Sequence, residues 1–160
     1  MASPRDIRKL ALLAMYQLDS RVGEDTESIR ESLDDVQTLI VEGLEFSDQK
    51  SEFSDNERDR AFTLATNAFA RRDIADVELN ELSKDWTVSR MPVVDRSILR
   101  LAHYEMTGMA DPKPKAAVNE AVELAKVFST KQSPGFVNGI LDKVLKRVLS
   151  EQASGQASAQ

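Results

Sequence analysis

A chain of 160 residues is long enough for one domain with a proper core, or for two small bundles sharing an interface. With no Cys and a single His, it excludes disulfides, thiolate zinc sites, thiol catalysis and multi-histidine metal centres. The net charge of −6 argues against generic nucleic-acid binding. Charge is uneven along the chain, however: residues 1–22 carry +2, residues 23–59 carry −10, residues 60–110 balance, and residues 111–150 carry +3. Two mildly basic ends that met in the fold would make a local patch for phosphates; the alternative is an ordinary solvated surface. Six Gly and five Pro leave room for long helices, and runs of Ala, Leu, Glu and Lys favour helix over strand, so the expected class is all-α. No window approaches the roughly 18 apolar residues of a membrane span, and the N-terminus lacks a signal-peptide pattern. The expectation is a soluble, cytoplasmic protein with no membrane partner.

The first helix is expected from about Pro4 to Leu18. Ile7, Leu10, Ala11, Ala14 and Leu18 fall on one side as a core stripe, and Arg5, Arg8, Lys9, Leu12 and Tyr16 fall nearly opposite. Leu12 and Tyr16 are either covered by another helix or part of a contact surface. After a polar link, Ile29, Leu33, Val36, Ile40 and Leu44 repeat at steps of three and four, which predicts a second amphipathic helix with a solvated acidic face. A polar link at Ser47–Ser54 leads to a third helix near Asp55 with Phe62, Ala65 and Phe69 on its core side. Beyond Arg72 the apolar phase drifts, so a bend or break is expected between Arg71 and Asp73. Trp86 reads either as a base-stacking platform or, more in keeping with a lone Trp between helices, as a seal over the core.

The fourth helix starts around Pro92. Val94, Ile98, Leu101 and Ala102 point one way, and Asp95, Leu99, His103 and Met106 roughly the other, so an otherwise polar side again carries apolar residues. Glu105, toward the apolar side, reads as a buried, hydrogen-bonded carboxylate; a catalytic or metal-bridging role lacks the Glu-x-x-His pair it would need. His103 is expected at the surface. A fifth helix carries Val118, Ala121, Val122, Ala125 and Phe128 as its stripe. The last helix opens at Ser133, expected to cap the first turn, with Pro134 at the first helical position. Its stripe is Phe136, Val137, Ile140, Leu141, Val144 and Val148. Gly139, costing about 1 kcal/mol against Ala in an exposed helix, points to a close helix crossing, and Asn138 to a structural latch. From Glu151 onward Ala, Ser, Gln and Gly form no stripe, and a disordered tail is expected.

Three stretches carry a resemblance. Residues 136–142, FVNGILD, the run NEAVELAK from Asn119 to Lys126, and VVDRSILRLAHYEM from Val93 to Met106 resemble the NusB family of bacterial transcription antitermination factors. The order of NEAVELAK, a short loop and FVNGILD is more specific than either string alone. The resemblance implies one domain over residues 1–150 made of two packed three-helix bundles, about 1–84 and 85–150, with six to seven helices. It also implies a non-catalytic protein without cofactors, which pairs with NusE, a small-subunit ribosomal protein, and binds boxA-type single-stranded RNA in the transcription elongation complex, supporting rRNA operons.

By the same resemblance Arg5, Arg8 and Lys9 match a basic RNA-binding cluster, within which Asp6 stands. Lys131 and Gln132 replace positions commonly acidic in relatives and favour phosphate contact. Phe136 is either a base contact or a core residue. Tyr16 on the first helix and Asp95 on the fourth match partner-contacting positions, and Leu99 lies on the same side of its helix as Asp95. A NusB-like domain also fronts certain rRNA cytosine methyltransferases, but the chain holds no glycine-rich cofactor loop and no Cys nucleophile for that reaction. A further alternative is a protein-interaction scaffold or regulator that has lost RNA binding. Self-association through the exposed apolar positions, giving a homodimer, is also open.

Overall fold

The computed structural model describes residues 3–34, 39–41, 44–46 and 53–158. Among these residues seven α-helices run in chain order: α1 (Pro4–Ser20), α2 (Thr26–Ser32), α3 (Asp55–Ala70), α4 (Arg72–Leu82), α5 (Val93–Thr107), α6 (Pro114–Phe128) and α7 (Ser133–Ser158), with a short 3-10 turn at Val88–Arg90 between α4 and α5. Between α2 and α3 a two-stranded antiparallel hairpin pairs β1 (Leu39–Val41) with β2 (Leu44–Phe46), Leu39 facing Phe46 and Val41 facing Leu44. The chain divides into two compact units at Arg71. The expected division near residue 84 moves because α4 packs with α5 and α7. The expected break between Arg71 and Asp73 is present as the boundary of α3 and α4.

In the first unit, α1 and α3 each begin with a reciprocal capping pair. The Ser3 hydroxyl accepts the Asp6 N–H at 3.2 Å while the Asp6 carboxylate accepts the Ser3 N–H at 2.8 Å. Ser54 and Glu57 repeat the arrangement at 3.1 and 2.9 Å. Both helix starts are therefore written locally, and α1 then packs on α2 and α3. Its expected stripe is buried, and so are Leu12 and Tyr16, the latter 8% exposed, so neither is a free contact surface.

The chain reverses after α1 through three left-handed residues, Val22 (φ 53°), Gly23 (φ 78°) and Asp25 (φ 56°). A Cβ on Gly23 would lie 3.1 Å from the Phe69 ring, so glycine is required for both conformation and space. The second helix is much shorter than its periodicity predicts. Ile29 and Leu33 are buried as expected, but Ile40 and Leu44 lie in the hairpin strands, and Val36 is outside the described residues. Successive β-branched Ile40 and Val41 suit a strand better than a helix. The acidic stretch is not only solvated: Arg30 reaches Asp34 and Asp59, both at 2.9 Å.

In the second unit α5 is the central element, packed by α4, α6 and α7. Ile98, Leu101 and Ala102 are buried, and so are Asp95, Leu99, His103 and Met106 on the other side. A helix covered by three others has no polar face to spare, which corrects the surface placement of His103, here 2% exposed. Glu105 is buried and engaged with its neighbours. On α6, Ala117 and Leu124 join Val118, Ala121 and Ala125 in the core.

The α7 stripe Val137, Ile140, Leu141, Val144 and Val148 is buried, with Phe136 half-buried at its edge. Gly139 and Asn138 face out, so neither the close helix crossing nor the latch is present: a Cβ on Gly139 would meet nothing within 4 Å. Gly139→Ala should therefore raise stability by about 0.5–1 kcal/mol, seen as a higher urea midpoint. An unchanged or lower midpoint would show that an outward helical glycine is not the whole cost. The expected disordered tail is instead helical to Ser158. A helix already nucleated by packed turns extends through Ala and Gln without a new nucleation cost.

Candidate nucleic-acid interface

The cations of α1 sit on its first two turns, Arg5 exposed and Arg8 and Lys9 half-buried. Arg5, Arg8 and Asp6 are engaged with neighbouring groups. Asp6, which dilutes the positive charge of this cluster, is there as the capping partner of Ser3.

In the second unit, the loop Ser129–Gln132 joins α6 to α7. Its shape is set by Asp95, in the first turn of α5 and 2% exposed. The Ser129 hydroxyl donates to one Asp95 oxygen, and the Ser133 hydroxyl donates to the other at 3.1 Å. Ser133 also lies 2.8 Å from the hydroxyls of Ser129 and Thr130. Ser133 is thus the first residue of α7 and ties it to Asp95, in place of the expected capping role. A buried carboxylate with hydroxyl donors on both oxygens is satisfied, and it fixes the loop backbone. Lys131 and Gln132 are left exposed on this loop, one turn before half-buried Phe136.

The residues expected to meet a protein partner are all buried. Asp95 turns inward to the loop, Leu99 is 0% exposed, and Tyr16 is buried in α1. They shape the surfaces of their helices from beneath.

Trp86 does not seal the core. It is 36% exposed and forms a tilted pair with Phe136, ring centroids 5.5 Å apart at 59°. Its segment is held by the Ser83 hydroxyl, which donates to the Trp86 carbonyl at 2.6 Å, and by the Asn80 side chain, which accepts the Val88 N–H at 2.8 Å. The pair borders a groove of about 510 Å³ running from Leu82 to Trp86 and along Gly135, Phe136, Gly139, Ile140 and Lys143 of α7. Sequence reasoning missed this groove. Its one signal was the pair of glycines four residues apart, which strip one helix face of side chains beside Phe136.

A second feature the sequence reading missed is a half-buried ionic clamp. Glu78 of α4 accepts from Arg147 of α7, at 2.6 Å from Nη2, and lies 2.8 Å from His103 Nε2 of α5. Asp76 accepts two bonds from Arg100, at 2.9 and 2.7 Å. Burial alone would push the Glu78 carboxyl up, but hydrogen bonds from Arg147 and His103 outweigh it and hold the group below its ordinary value. The bond to Glu78 in turn raises Arg147, against the effect of its burial. The partners lie 25 and 69 residues apart, so no local pattern announces them. Among the described residues no group of three or more His, Asp or Glu is placed to hold a metal ion, and no helix is long and apolar enough to cross a membrane.

Residues 5–146 match the model of the NusB family. The transcription antitermination protein NusB of Trichlorobacter lovleyi is 36% identical over 154 residues, covering 96% of this chain and 98% of that protein. Among solved structures, NusB of T. maritima superposes with a TM-score of 0.70 at 30% identity, covering 91% of this chain and 93% of that one. A chain of a crystal structure of antitermination factors NusB and NusE in complex with dsRNA shares the fold, with a TM-score of 0.68 at 22% identity over 89% of this chain and 96% of that chain. The fold, helical among the described residues apart from one short hairpin, and the matches define a class of transcription antitermination proteins. The chain belongs to the NusB family.

Proposed function

We propose that this chain pairs with NusE and that the pair binds boxA-type single-stranded RNA within the transcription elongation complex, supporting transcription of rRNA operons. The observation that carries the reading is the α6–α7 loop, which Asp95 holds rigid with Lys131 and Gln132 outward and Phe136 beside them. A preformed loop with a cation, an amide and an aromatic ring offers the phosphate, edge and stacking contacts that single-stranded RNA uses. Arg5, Arg8 and Lys9 add phosphate contacts from α1. Tyr16, Asp95 and Leu99 support the α1 and α5 surfaces on which NusE docks.

A second reading, a protein scaffold without RNA affinity, is favoured by one observation: Arg5 and Arg8 are already engaged within the protein. Fluorescence anisotropy with a boxA-like oligomer and a scrambled control, with and without NusE across a salt series, separates the two. The expected result is selective binding that strengthens with NusE. Arg8→Ala and Lys131→Ala should each lower the salt slope by about 0.7, the value for one single-strand phosphate contact. NusE binding without any RNA preference would instead favour the scaffold and remove these residues from the RNA site.

A further inference from the structure

We infer that the groove beside Trp86 is a pocket for one unstacked nucleobase, with Trp86 as its aromatic wall and Lys84 and Lys143 as its phosphate contacts. The inference rests on the RNA reading above and extends it to residues which that reading does not use. A Trp left 36% exposed at the edge of a groove forgoes burial that a neighbouring helix could have supplied. Its contact with Phe136 is tilted, not stacked face to face, with ring centroids 5.5 Å apart. Gly135 and Gly139 have open space where a Cβ would stand, so a flat ring can approach the α7 backbone here as it could at no other residue type.

The charges of the groove fit this occupant. Lys84 and Lys143 both line it, and the one bond recorded for the Lys143 ammonium is a long one, 3.5 Å, to the Leu82 carbonyl. Asp85 on the same rim only accepts, and so suits the exocyclic amino group of a base rather than a phosphate. The groove volume of about 510 Å³ leaves room for a base with its sugar. All of these residues belong to the second unit.

Trp86 is the only Trp in the chain, so its emission reports on the groove directly. The full chain, with a Trp-free NusE, is titrated with boxA-like and scrambled RNA while emission and anisotropy are read together. Binding should quench Trp86. Trp86→Ala should weaken RNA binding roughly tenfold, within the range for loss of one stacked base, and Trp86→Phe should retain most of the affinity. Lys84→Ala combined with Lys143→Ala should lower the salt slope by about 0.7 per lysine. Quenching that is equal for both RNAs supports the pocket and overturns the boxA reading. Selective RNA binding with Trp86 emission unchanged overturns the pocket and leaves the boxA reading standing. A change caused by NusE alone, with none on adding RNA, also overturns the pocket, and binding of neither RNA overturns both.

Discussion

Leu99→Ala should destabilise the protein by about 2–5 kcal/mol, the range for truncating a fully buried leucine in a core that collapses only partly around the gap. Leu99 is 0% exposed on α5, which α4, α6 and α7 cover. The loss should appear as a lower urea midpoint with an unchanged slope, since the surface exposed on unfolding stays nearly the same. A residue whose business was to touch NusE from the surface predicts the opposite: stability within about 0.5 kcal/mol of the parent, with the affinity for NusE reduced. An unchanged midpoint together with lost NusE binding would sink the assignment of Leu99 to the core.

Glu78→Gln should cost about 1–3 kcal/mol at neutral pH, because it weakens the hydrogen bonds to Arg147 and His103 and leaves the Arg147 guanidinium only its more exposed pairing with Glu151. The pH dependence carries the sharper test. The Glu78 pKa in the folded protein lies below its ordinary value, so as acid is added the unfolded chain takes up this proton first. Its contribution to stability is therefore complete above the ordinary glutamate range and is lost as pH falls through that range toward the folded value. Stability measured against pH should show a shallower acid limb in Glu78→Gln than in the parent. Parallel acid limbs would mean that the Glu78 bonds to Arg147 and His103 do not contribute to stability in solution.

What could be read from the sequence was what local chemistry writes. The stripes of α1 and α7, the break at Arg71 and the buried Glu105 all follow from spacing at three and four residues, and the structure keeps each. The FVNGILD and NEAVELAK strings pointed to the family whose model spans residues 5–146. The errors have a common cause, which is that a face can be assigned from one helix but its cover cannot. His103, Asp95 and Leu99 were placed by angle on the outer side of α5, and the helices that close over that side come from elsewhere in the chain. Gly139 shows the converse, a residue given a packing reason when it lies in the open. The second helix failed differently, because Ile29, Leu33, Ile40 and Leu44 satisfy helical spacing while the β-branched pair Ile40–Val41 decides for a strand. The Glu78 clamp depends on residues far apart in sequence, and spacing carries no trace of it; the Trp86 groove left only the spacing of Gly135 and Gly139 as a sign.

The reversal between α1 and α2 bears on what holds the first unit together. Holding a β-branched residue such as Val22 in the left-handed region costs about 1–2 kcal/mol, and the turn sets against it its own backbone bonds, from the Gly23 N–H to the Leu18 carbonyl at 2.9 Å and from the Glu24 N–H to the Arg21 carbonyl at 3.0 Å. The corner between α1 and α2 is thus partly supported by its own backbone. Further support comes from α3, which brings Phe69 under Gly23, a contact made across nearly the whole unit. A connection of a few residues thus leans for part of its stability on a helix far along the chain, and most of the packing that holds α1 in this unit comes from α3.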